Sequence, residues 1–103
     1  MFPQQPQEKD ILKTVLEPLL EDFQYWFSST RTLLESERLP FYSEQEQAEL
    51  LQKIKHGQQQ VTAAQMLFKA TAGKAGIDFK MLIPLHQLVA ECWDVSRKWR
   101  QSK

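Results

Sequence analysis

Between Leu50 and Phe68 the residues Leu50, Ile54, Gly57, Val61, Ala64 and Phe68 fall alternately four and three positions apart. That spacing puts all six on one narrow stripe of an α-helix, the seam of a helix laid nearly parallel to its neighbours. It does not suit a strand, in which side chains alternate between faces at every residue. A glycine in mid-helix costs roughly 1 kcal/mol relative to alanine. Its place on the seam therefore predicts that another backbone or an aromatic ring comes close at Gly57, and Ala64 is the second small residue expected to allow close helix packing.

The stretch ahead of the seam, Ser43-Glu44-Gln45-Glu46, has the form of a capping box, with the serine hydroxyl free to accept from the Glu46 N–H and the glutamate reaching back. Just before it, Pro40 disfavours helix at Leu39 and breaks the preceding pattern. Upstream, Leu12, Leu16, Leu19, Phe23, Trp26 or Phe27, and Leu34 recur at helical steps, so a first helix is expected from Asp10, which can cap it, to about Glu35. Pro18 lies inside it and predicts a kink or a restart. Downstream, Gly73 and Gly76 are expected to end the second helix and Asp78 to cap a third. The third stripe runs Leu82, Leu85, Val89, Cys92, Val95 or Ser96, and Trp99, with Pro84 predicting a distorted start.

With 103 residues and 42% apolar composition the chain can build one core and hardly two. The expected fold is all-α: a three-helix up-down-up antiparallel bundle over residues 10–103. Residues 1–9, rich in Pro and Gln and without periodicity, read as a disordered, flexible N-terminal arm. Cys92 has no partner for an intramolecular disulfide, which suits a reducing interior. The start MFPQQPQEKD is not a signal peptide, and no run of about 18 apolar residues crosses a membrane, so a cytoplasmic protein is expected.

The formal charge is zero, yet it is unevenly spread. Through Leu50 the chain carries ten acids against four bases, and after Leu50 nine bases against three acids, a net −6 facing a net +6.

Groups for chemistry are sparse. His56 has Gln52 and Gln60 one turn away, and His86 has Leu82 and Ala90, so neither has a carboxylate or thiolate at metal-ligand spacing. Cys92 lies on an apolar stripe, where a thiol is ordinarily buried and inert. Gly73-Lys74-Ala75-Gly76 neither follows a strand nor completes a phosphate-binding fingerprint. No catalytic residue, metal or cofactor is expected, no small-molecule substrate is inferred, and an enzyme is the least favoured reading.

Two clusters remain. Phe23-Gln24-Tyr25-Trp26-Phe27 spreads rings around more of a helix than one core stripe can bury. They are either core with a rim, or a surface for a protein partner, self-association included, since exposed Trp and Tyr favour interfaces. Tyr25 and Trp26, with Phe41 and Tyr42 in the following turn, are the candidate partner-binding residues. At the other end Arg97, Lys98, Arg100 and Lys103 interleave with Trp93 and Trp99. Bases in a last helical turn suit the macrodipole, and the alternative is a surface for anionic membrane or nucleic acid.

The run Leu16-Glu17-Pro18-Leu19-Leu20-Glu21-Asp22-Phe23-Gln24-Tyr25-Trp26-Phe27, then Leu33-Leu34-Glu35, and the late Pro84-Leu85-His86-Gln87-Leu88-Val89 with Glu91-Cys92-Trp93, resembles a family of short uncharacterised cyanobacterial proteins. The resemblance covers about Asp10 to Trp99 and implies a domain of unknown function in a photosynthetic bacterial host. It supplies no catalytic residues. Together with the surplus aromatics, it leads to the expectation of a non-enzymatic helical interaction or assembly module.

Overall fold

A computed structural model describes residues 4–71 and 79–102, with side chains over 14–71 and 80–102. Three helices follow in order: α1 (Gln4–Ser36), α2 (Glu44–Ala70) and α3 (Phe79–Gln101). Cross-helix partners fix their directions. Along α1 and α2, Leu34 meets Gln47, Arg31 meets Gln58 and Gln24 meets Thr62, so rising numbers on one helix oppose falling numbers on the other. Along α1 and α3, Phe23 meets His86 and Trp26 meets Trp93, so these two run the same way. The result is the up-down-up antiparallel bundle. α1 packs on both other helices, and α2 and α3 touch over a shorter stretch.

The buried stripes meet in one core. Phe27, Leu20, Leu39, Ile54, Leu85, Val61, Val89, Val95 and Cys92 are fully enclosed, each large apolar side chain contributing about 1.5–3 kcal/mol relative to an exposed one. Of the paired alternatives, Phe27 and Val95 enter the core, while Trp26 and Ser96 stay on the rim.

Gly57 is buried, and a Cβ built there would stand 3.0 Å from Leu88 Cδ2 and 3.2 Å from Phe27 Cε2. Ala64, two seam positions on, is also buried. The N-terminus of α2 carries the capping box in full: Glu46 N–H donates to Ser43 Oγ at 3.0 Å, and Ser43 N–H to Glu46 Oε1 at 2.8 Å.

Helix boundaries differ from expectation in several places. α1 begins at Gln4, so Asp10 lies within it and does not cap it; Pro6 falls in the first turn, where a missing N–H costs little. Residues 1–3 of the expected arm are outside the described residues. Both α1 and α3 continue through their prolines without a restart. Pro18 and Pro84 are each on the exposed face of their helix, while buried neighbours on the opposite face hold it. α2 ends at Ala70, ahead of both glycines. Thr71 caps it, its N–H donating to the Leu67 carbonyl at 3.1 Å and its hydroxyl to the same oxygen at 2.9 Å. Gly73, Gly76 and the expected cap Asp78 lie outside the described residues.

Candidate functional site

A groove of about 660 Å³ runs between α1 and α3 on the side turned away from α2, which contributes no lining residue. Its walls are Trp26 and Leu33 from α1 and Trp93 and Trp99 from α3, with Tyr25 at one end and Glu37 and Arg100 at the other. The floor is small and hydroxylic, with Ser29, Thr30, Ser36 and Ser96. Because α1 and α3 are parallel, residues far apart in sequence sit at one level.

The rings form a continuous run across this face. Tyr25 meets Trp26 edge-on at 5.3 Å between centroids, Trp26 meets Trp93 edge-on at 6.1 Å, and Trp93 meets His86 edge-on at 5.9 Å. His86 in turn leans on Phe23, and Phe23 on Phe27, so the run passes from solvent into the core. Edge-to-face pairs of this kind each add about 0.5–1.5 kcal/mol beyond their buried area. Tyr25 remains 63% exposed and Trp93 44% exposed, so an aromatic surface is left facing water.

Beneath the groove the Thr30 hydroxyl is buried without a hydrogen-bond partner. It lies close enough to Cys92 to steady a thiolate, but burial dominates and pushes the Cys92 thiol up to about 11. Such a thiol stays protonated at neutral pH and is a poor nucleophile or metal ligand.

Phe41 and Tyr42 do not join this surface. Their rings meet at a tilt of 59°, 5.0 Å between centroids, in the turn after α1, partly buried against the core, and the Lys98 ammonium sits over both rings at 5.9 and 5.7 Å from their centroids. Partial burial raises the Tyr42 phenol above its ordinary value, the nearby Lys98 opposing it. Trp26 and Ser36, which marks the end of α1, are ten residues apart, about 15 Å along the helix, so the four expected partner-binding residues fall into two separate groups.

The basic residues divide as well. Arg97 and Lys98 both hold Asp94, Lys98 at 3.0 Å, and these bonds keep the Asp94 carboxyl below its ordinary value and the Lys98 ammonium above its own. Arg100 is exposed at the groove's lower end, and Lys103 lies outside the described residues. His56 lines a separate shallow cleft with Lys53, Gln60 and Glu91. Among the described residues no three His, Cys, Asp or Glu side chains converge as a metal site, and no helix is long and apolar enough to cross a membrane.

Sequence reasoning assigned Trp93 and Trp99 to the basic C-terminal cluster and did not join them to Tyr25 and Trp26. The available signal was their place on α3 at the level that a parallel α1 would set. Ser29 and Ser96 gave no signal of their own.

Comparison with known proteins supplies the family. The profile of DUF2605, described as a protein of unknown function, matches residues 6–101, and the chain belongs to that family. No curated protein and no solved structure matched the sequence.

Proposed function

For a DUF2605 protein whose α1/α3 groove is walled by rings, we propose a non-enzymatic protein-interaction or assembly module that binds its partner through that groove. The observation that carries this reading is the edge-to-face run Tyr25–Trp26–Trp93, with Tyr25 and Trp93 exposed and Trp26 half-buried between them. Rigid Trp and Tyr side chains lose little conformational freedom on binding, which is why they dominate interface energetics. A cyanobacterial cytoplasm is the proposed setting, supported by the resemblance carried by the Leu16–Phe27 and Pro84–Trp93 runs and by the single cysteine.

The alternative, docking on an anionic membrane or nucleic acid through Arg97, Lys98, Arg100 and Lys103, has less support. Two of those bases, Arg97 and Lys98, already pair with Asp94. Such binding would fall steeply with salt, and a liposome and oligonucleotide titration across ionic strength distinguishes the two readings. The leading proposal is tested by alanine substitution at Tyr25 and Trp26. Both the mass of the purified protein and the set of captured proteins should change, and if neither changes the groove is not an interaction surface.

A further inference from the structure

Two stripes run along the α1/α3 face, one on each helix. On α1, Val15, Leu19, Asp22, Trp26, Ser29, Leu33 and Ser36 recur at alternating steps of four and three. On α3, Ile83, His86, Ala90, Trp93, Arg97 and Arg100 do the same. This is the spacing by which α2 packs into the core. Here, however, every member is exposed or half-exposed, with Val15 at 54% and Ile83 at 59%. Coiled-coil-like seams on two parallel neighbours form a surface shaped for two more helices.

Charge selects the occupant. The α1 seam carries an acid, Asp22, seven residues before Ser29, and Ser36 lies seven residues after it. Arg100 lines the groove at the level of Ser36. Among the described residues neither Asp22 nor Arg100 has an ion-pair partner. Seven residues rise about 10 Å, so acid and base lie at about equal distances on either side of Ser29. A two-fold axis through Ser29 exchanges those two levels. Glu37 already shares the groove with Arg100 within one copy, so it gains little from pairing across copies.

We propose that the groove takes a second copy of this chain. The two α1/α3 faces lie antiparallel about a two-fold axis at Ser29, and Asp22 of each copy meets Arg100 of the other. This rests on the reading of the groove as an interaction surface. The contact is isologous and closes on itself, the commonest form of homodimer. The small side chains of Ser29 and Ser96 let the backbones approach, and the Trp26 and Trp93 rings of each copy fill the other's groove. The face from Asp22 to Arg100 is about 21 Å long and two helices wide, smaller than the standard stable interface, so a weak, concentration-dependent dimer is expected.

Sedimentation of the full chain from about 1 to 500 μM tests this. The wild type is expected to pass from the 12.1 kDa monomer to twice that mass. Ser29→Arg sets two like charges together at the axis and should hold the protein monomeric. Asp22→Arg and Arg100→Asp should each weaken pairing roughly tenfold or more, and the double variant should recover to within about threefold of wild type. All three positions are exposed, so unchanged thermal melts at low concentration confirm that the monomer fold is intact. A wild type that stays monomeric throughout, a Ser29→Arg protein that still dimerises, or a double variant no better than the singles overturns the proposal. If the wild type is monomeric but Trp26→Ala loses a captured protein, self-pairing fails and the interaction role stands; if mass and captured proteins are both unaffected, the interaction role fails too.

Discussion

Gln47 is the buried polar side chain on which the α1–α2 turn depends, and its replacement by leucine gives a sharp test of the fold's energetics. The amide Nε2 donates to the Leu34 carbonyl at 2.9 Å and the Glu37 carbonyl at 2.7 Å, while Oε1 accepts from the Leu39 N–H at 3.0 Å and from Arg38 at 3.0 Å. One side chain thus satisfies carbonyls that the end of α1 leaves free and the N–H of a residue that is itself fully buried. Gln47→Leu keeps the volume and removes every partner. Water can reach the Glu37 carbonyl and Arg38, but the Leu39 N–H and the Leu34 carbonyl stay enclosed. Two such groups at about 1–3 kcal/mol each come to about 2–6 kcal/mol, and burying an apolar side chain in place of the amide offsets part of this, so the expected loss is roughly 2–4 kcal/mol. That corresponds to a fall of roughly 10–25 °C in Tm for a domain of this size. Urea unfolding followed by helical circular dichroism measures it, with an unchanged m-value showing that the same surface is exposed. A second variant isolates the donor side. In Gln47→Glu the carboxylate can still accept from Leu39 and Arg38 but offers no proton to the two carbonyls, so folding favours the protonated acid. Its folded pKa is then raised, and the variant should regain stability relative to wild type as pH falls from 7 towards 5. If Gln47→Leu costs less than about 0.5 kcal/mol, the clamp contributes nothing and the reasoning fails.

Gly57→Ala should change stability by no more than about 1 kcal/mol, since the helical gain opposes the 3.2 Å approach to the enclosed Phe27 ring; Gly57→Val should cost about 3 kcal/mol, both read by urea unfolding. Ser43→Ala removes the α2 cap at a cost of about 1 kcal/mol near neutral pH. The bonds to the Ser43 backbone and hydroxyl hold the Glu46 carboxyl below its ordinary 4.5, so its contribution is present above that value and lost as pH falls through the lower folded one. The difference between wild type and Ser43→Ala should therefore shrink in acid. Cys92, fully buried with its thiol pushed up to about 11, should resist a thiol reagent at pH 8 until denaturant opens the bundle; rapid native labelling would show that the α1/α3 contact opens readily.

The three-helix order was legible because apolar spacing and one strong cap decide it, and both act locally. Ser43 and Glu46 satisfy each other within one turn, so the α2 start can be read from four letters. The restart expected at the prolines does not occur, because a proline's effect depends on which face it occupies, and Pro18 and Pro84 lie on the exposed faces of α1 and α3. Gln47 was silent for the opposite reason. It reads as an ordinary polar residue next to Glu46, and only the folded turn brings the Leu34 and Glu37 carbonyls to it. The groove was half visible. Tyr25 and Trp26 stood out as surplus rings, but their link to Trp93 follows from the parallel alignment of α1 and α3, which depends on how all three helices pack.

Charge asymmetry provides the last link between sequence and surface. Ten acids against four bases through Leu50, and nine bases against three acids after it, would suggest a bundle laced together by cross-helix ion pairs. The folded chain does little of this. Among the described residues one ion pair joins the two halves, Lys55 to Glu35 at 3.9 Å, and the others are local: Arg31 to Glu35, and Arg97 and Lys98 to Asp94. The α1–α2 interface is instead bridged by neutral amides and hydroxyls, Gln24 donating to Thr62 at 2.7 Å and Gln58 to Ser28 at 3.1 Å. Exposed ion pairs contribute about 0–1 kcal/mol each, so folding gains little by making more of them. Opposite charges at two levels of one exposed face have a different consequence. They add little to the stability of one copy, but they orient and accelerate the approach of a complementary face. On the proposed pairing the asymmetry bears on association more than on the fold, and the Asp22 and Arg100 reversals test it there.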